Sequence, residues 1–136
     1  MVGTESILGT GLDSTDTSHI AAMIERFGDR FLKRVFSADE IAQVTGKRCP
    51  ERYFAGLFAA KEAAMKALGT GQISAITWRD IRVVWIDAVA ELRFEAGAAR
   101  RFNEMGGDRS LLSITHTRTL ALAQVLILCC RENAGR

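Results

Sequence analysis

The chain has 136 residues, 48% of them hydrophobic and 25% charged, with a net charge of +2. That length fits one domain, residues 1–136, able to bury roughly two-thirds of its unfolded surface in a core without staples. The composition excludes a disordered chain. The near-neutral charge, with no Lys/Arg run interleaved with aromatics, argues against a nucleic-acid partner.

Ser6 to Asp13 reads as a first strand, with Ile7, Gly9, Gly11 and Asp13 on one face. Two glycines on a strand face signal that something approaches closely there. Asp13 could serve as a metal ligand or as a cap for the next helix. Ser14 to Ser18 is dense in capping residues, and Ile20, Met23, Ile24, Phe27 and Phe31 then recur at helical spacing, with Gly28 a break before Phe31. Ser37-Ala-Asp-Glu40 is a capping-box pattern opening a short helix toward Val44. Arg26, Arg30, Lys33, Arg34, Lys47, Arg48 and Arg52 gather in this part of the chain. They read either as a solvated face or as a docking patch for an acidic partner.

Pro50 suits the first turn of the next helix, which runs from about Glu51 to Leu68. Phe54, Leu57, Phe58, Met65 and Leu68 form its apolar stripe, and Gly69 is placed to end it in the left-handed conformation. Lys61 lies on or beside that stripe. Glu62 and Lys66 are one turn apart in the favourable Glu-before-Lys order. Taken alone, these charges read as a snorkelling lysine and a surface ion pair.

After Gly71 the period changes. Ile81, Val83 and Trp85 mark one strand and Val89 to Phe94 another, with a turn near Asp87. Gly97 to Met105 reads as a short helix ended by Gly106-Gly107. Ser110 to Thr117 and Leu120 to Cys130 read as a hairpin through Arg118. The last strand is apolar on both faces and belongs at the centre of a sheet. This order implies an α+β fold, an antiparallel sheet packed against a long helix.

Cys49, Cys129 and Cys130 offer no CxxC, hence neither a disulfide framework nor a zinc site, and they fit a reducing cytoplasm. The N-terminus lacks the pattern of a signal peptide. Leu120 to Cys130 is too short to span a bilayer, so no membrane partner is expected. No GxSxG elbow or P-loop is present, and His116 stands alone where a strand turns. Asp13 and Glu62 are hard oxygen ligands of the kind magnesium takes together with substrate phosphates. Lys66 and the glycines after it form a weak phosphate cradle. The residues alone thus reach a magnesium–phosphate site and no further.

Four stretches occur in one order: Gly9-Thr-Gly11-Leu-Asp13; Phe58-Ala-Ala-Lys-Glu-Ala63 continuing to Lys66-Ala-Leu-Gly-Thr-Gly71; Trp78-Arg-Asp-Ile-Arg-Val83; and Ser113-Ile-Thr-His-Thr117 followed by Ala121-Leu-Ala-Gln-Val125. As a set they resemble the short, single-domain 4′-phosphopantetheinyl transferases, the holo-(acyl-carrier-protein) synthases, from about Ile7 to Leu128. The resemblance implies their fold and their reaction, the move of the phosphopantetheine arm of coenzyme A onto a serine of an acyl carrier protein. The other product is adenosine 3′,5′-bisphosphate, and the setting is cytoplasmic fatty acid biosynthesis. It implies Asp13 and Glu62 as ligands of Mg2+, and Lys66, Gly69, Thr70 and His116 as contacts to coenzyme A. Lys61 would orient the glutamate or receive a proton. The base would be a metal-polarised water or a metal-site carboxylate. A homotrimer with sites between subunits is implied as well.

Departures from the family pattern are Thr10 for a large aliphatic residue, His19 for Arg or Lys, Leu57 for arginine, and Asp87-Ala88-Val89 for a Gly-Lys-Pro turn. They leave room for a transferase dedicated to a specialised carrier. Two other readings are a non-catalytic module docking acidic carrier helices and a nucleotide-phosphate hydrolase on the same metal site.

Overall fold

Two glycines on the first strand let a helix backbone lie directly against a sheet. In the computed structural model, which describes residues 3–69 and 76–131, strand β1 spans Thr4–Asp16. Helices α1 (Thr17–Phe27), α2 (Asp29–Val35) and α3 (Ala38–Val44) follow, and then the long α4 (Pro50–Leu68). A 3-10 turn at Trp78–Asp80 leads into the hairpin β2 (Ile81–Ile86) and β3 (Val89–Phe94). Helix α5 (Ala96–Glu104) and the hairpin β4 (Arg109–His116) and β5 (Leu120–Arg131) complete the order.

The strands form two antiparallel sheets, a three-stranded β1-β5-β4 and a two-stranded β2-β3, where the sequence pattern implies one. The apolar β5 is the central strand, as its sequence requires. The register on β1 shifts between Ile7 and Gly9. The irregularity breaks the alternation expected from sequence: Ile7 is exposed, whereas Leu8 packs against the core. From Gly9 onward the expected face holds.

That face is a seam of small residues. A Cβ on Gly9 would lie 2.1 Å from the Ala67 carbonyl oxygen, and one on Gly11 would lie 1.7 Å from that of Ala63. Helix α4 answers with Ala59, Ala60, Ala63, Ala64 and Ala67, all buried. It is therefore covered nearly all round, not along one stripe: Phe54, Leu57 and Leu68 are buried, and Phe58 and Met65 partly so. Pro50 opens it and Gly69 closes it at φ 69°, as expected. At this end the Arg101 guanidinium of α5 donates to the Leu68 carbonyl at 2.7 Å, satisfying an acceptor with no partner within the helix.

Gly28 breaks the first helical stretch in two, and the Ser37–Glu40 capping box forms. The Thr17 amide donates to the Thr119 carbonyl at 2.9 Å, tying the start of α1 to the β4–β5 turn. In the β2–β3 turn both Asp87 and Ala88 have positive φ, 50° and 66°, as a two-residue hairpin turn demands. No helix among the described residues is long and apolar enough to cross a membrane.

Because the atom facing a Gly11 side chain is a helix carbonyl, it cannot rotate away. Gly11→Ala should lower the unfolding free energy by about 2 kcal/mol or more, read from the midpoint of a urea or guanidinium transition.

Candidate active site at the β1–α4 seam

Gly11 lies on Ala63, so Asp13, two residues along the strand, and Glu62, one residue back along the helix, come to the same rim. Both line one open pocket of about 260 Å³, together with Thr15, Asp16, His19 and Phe58. Asp13 is mostly buried, its side chain 17% exposed. Its Oδ1 accepts from the Lys66 ammonium at 2.9 Å, and its Oδ2 from the Thr15 hydroxyl at 3.3 Å. Lys66 also donates to the Leu12 carbonyl at 3.0 Å. The expected Glu62–Lys66 surface pair is thus replaced: the lysine reaches across the seam to the strand. Glu62 Oε1 instead accepts from the indole Nε1 of Trp78 at 3.2 Å. Its Oε2 makes no hydrogen bond to the described residues.

Lys61 is not the snorkelling surface lysine that its spacing suggests. It is fully buried. Its ammonium pairs with Glu40 Oε1 at 2.9 Å and donates to the carbonyls of Trp78, at 3.0 Å, and Ile81. Glu40 is equally buried, and it also accepts from the Ser37 and Val83 amides, each at 2.8 Å. Burial pushes the Lys61 ammonium below the ordinary lysine value, and the Glu40 carboxylate opposes that shift. The Lys61 side chain is enclosed and its ammonium is engaged by one carboxylate and two carbonyls. It does not touch Glu62 by any hydrogen bond among the described residues; Trp78 stands between them, its carbonyl on Lys61 and its indole on Glu62.

His116 also stands apart. It ends β4 and lines a different, larger pocket of about 610 Å³ with Lys47, Tyr53 and Gly56. Its ring sits 6.0 Å from that of Tyr53. Gly69 follows Lys66 at the end of α4, and Thr70 lies outside the described residues. Two participants escaped the sequence reading. Glu40 looked like a capping glutamate only, and Trp78 entered only as the first residue of a family motif, with no role of its own. The clue to Glu40 was Lys61 itself, since a lysine on an apolar stripe needs a buried counter-charge if it does not reach water.

No cluster of three or more His, Cys, Asp or Glu able to hold a metal occurs among the described residues. Two carboxylates in an open pocket suit a hard cation that keeps most of its shell for water and substrate phosphates, as magnesium does. They would not satisfy zinc or calcium.

Comparison with known proteins shows the family. Residues 9–119 match the 4′-phosphopantetheinyl transferase superfamily. The chain is 43% identical to a holo-[acyl-carrier-protein] synthase of Koribacter versatilis, covering 89% of this chain and 98% of that protein. The holo-[acyl-carrier-protein] synthase of Neisseria meningitidis superposes with a TM-score of 0.80 at 30% identity, over 90% of this chain and 98% of the other. That of Helicobacter pylori, solved in complex with coenzyme A, gives 0.76 at 26% identity, over 87% and 98%. The family match and the fold define a phosphopantetheinyl transferase. Within that superfamily, the chain belongs to the family of the holo-[acyl-carrier-protein] synthases.

Removing one member of a buried ion pair leaves the other charge uncompensated. Lys61→Met should therefore destabilise the fold by about 3–5 kcal/mol, measured by chemical denaturation.

Proposed function

We propose that the protein transfers the 4′-phosphopantetheine arm of coenzyme A to a serine of an apo acyl carrier protein, releasing adenosine 3′,5′-bisphosphate. The observation that carries the reading is the convergence of Asp13 and Glu62, from a strand and a helix, on one open pocket. The coenzyme A complex of the Helicobacter pylori relative supports the donor, and the names of the relatives support the acceptor.

Asp13 and Glu62 would hold Mg2+, which when bound neutralises charge developing on the pyrophosphate oxygens. This chain's own residues do the rest. Lys66 holds Asp13 in place and is half-exposed, so its ammonium also faces solvent where a phosphate can approach. Thr15 fixes the second Asp13 oxygen. Phe58 gives the pocket an apolar wall that limits water around the reacting groups. The serine hydroxyl attacks the phosphorus next to the pantetheine arm, the P–O bond to the bisphosphate breaks, and the hydroxyl proton leaves to a base at the pocket.

The carrier would approach over α1 and α2, where His19 reaches the pocket rim and Arg26 of α1 and Arg30 of α2 are exposed. His19 in place of a basic residue weakens attraction to an acidic helix at neutral pH, which favours a specialised carrier. We further propose a homotrimer, in the cytoplasm. His116 lines a different pocket from the carboxylates of its own chain, which leaves it free to serve a coenzyme A bound to a neighbouring copy. The outward face of the β1-β5-β4 sheet supports assembly, because Leu12, Leu111 and Leu122 stand exposed on it.

Incubated with coenzyme A, Mg2+ and a panel of apo carriers, the protein should add one phosphopantetheine mass to a carrier, read by mass spectrometry. Partners around bound metals are worth about 10–100-fold, so Glu62→Gln should cost about a hundredfold or more in kcat/KM. A chelator should stop transfer reversibly. Unchanged carrier masses across the panel would refute the reading, whereas carrier binding indifferent to Mg2+ and coenzyme A would favour a docking module. Leu122→Glu should shift the sedimentation coefficient from trimer to monomer and reduce transfer with it.

A further inference from the structure

The residue that touches Glu62 does not belong to the pocket by sequence. Trp78 follows α4 by a long connection, yet its Nε1–H donates to Glu62 Oε1 at 3.2 Å. An indole N–H commonly finds some acceptor when it is shielded, so the contact alone says little. What distinguishes this one is how firmly the donor is held. The Thr77 amide donates to Asp80 Oδ2 at 3.2 Å, closing the 3-10 turn. The Trp78 carbonyl accepts from the buried Lys61 ammonium at 3.0 Å, and Glu40, which pairs with Lys61, also grips the Val83 amide of β2. The indole lies 6.0 Å from the Phe58 ring, tilted by 32°, and Phe58 is itself a wall of the pocket. Adjacent residues of α4 therefore hold the two ends of one tryptophan: Lys61 the backbone, Glu62 the side chain.

We infer that Trp78 is the positioning residue for Glu62. Its indole N–H holds one carboxylate oxygen and leaves the other for Mg2+, and the Lys61–Glu40 pair is the anchor that keeps the indole in place. Phenylalanine would pack against Phe58 as well, but it would release the carboxylate. The inference rests on the transferase reading for its metal, and the test separates the two.

The full chain, saturated with coenzyme A, is titrated with Mg2+. In the nitrogen-15 spectrum two indole N–H signals are expected, from Trp78 and Trp85, assigned with Trp85→Phe. The Trp78 signal should move with Mg2+ while that of Trp85 stays, and Glu62→Gln should abolish the response. Trp78→Phe should raise the Mg2+ dissociation constant about ten- to a hundredfold, the worth of a hydrogen bond to a charged group. The Mg2+ concentration for half-maximal transfer should rise by the same factor, with KM for the apo carrier unchanged and the rate recovered at high Mg2+. In the Glu62→Gln background Trp78→Phe should add nothing. Wild-type Mg2+ affinity in Trp78→Phe, or an equal loss in the Glu62→Gln background, overturns the inference and leaves the transferase reading intact. A wild-type chain that neither responds to Mg2+ nor modifies a carrier sinks both. If Trp78→Phe does not fold, the wild-type indole signal decides: movement with Mg2+ supports the inference, and its absence in a chain that transfers overturns it.

Discussion

The approach of the Gly11 backbone to the Ala63 carbonyl sets the site. No side chain intervenes, so the strand and helix axes come as near as backbones allow. Asp13 and Glu62 sit within two residues of that contact, one on each element. Their meeting is thus a consequence of backbone packing and needs no long reach by either side chain. A short side chain on a rigid element is also the less mobile way to place a metal ligand.

The second acid is steadied from behind. Glu40, Lys61 and Trp78 come from α3, α4 and the turn before β2, three segments that meet at one edge of the apolar core. Among the described residues no buried side-chain nitrogen or oxygen lacks a partner, so this ionic network is fully satisfied. Such a network contributes little net stability compared with an apolar core of the same volume, but it punishes misassembly. Here it fixes where β2 docks on α4.

Much of this was legible in the residues. Periodicity and glycine placement located α4, the Ser37–Glu40 box, the break at Gly28 and the two hairpins, because each is a local device with a local signal. The pairing of Asp13 with Glu62 was legible only through a set of motifs, since nothing in spacing relates a strand to a helix some fifty residues on. What stayed hidden depends on contacts distant in sequence. Lys61 gives no hint of which acid it will meet, and spacing pairs Lys66 with Glu62, whereas the fold turns it to Asp13. The shift at Leu8 likewise arises from pairing with β5 and leaves no mark on β1 alone. His116 is the converse case: its motif is plain, yet in one chain it lies in another pocket.

The alanine lining of α4 carries a consequence for descent. Gly9 and Gly11 admit no Cβ against the helix carbonyls, and the alanines facing them are buried, so this seam tolerates little change. Latitude remains at the periphery, at Thr10, His19, Lys47, Tyr53 and the Asp87-Ala88 turn, all exposed. Substitution at those outer positions leaves the packing that brings Asp13 and Glu62 together untouched.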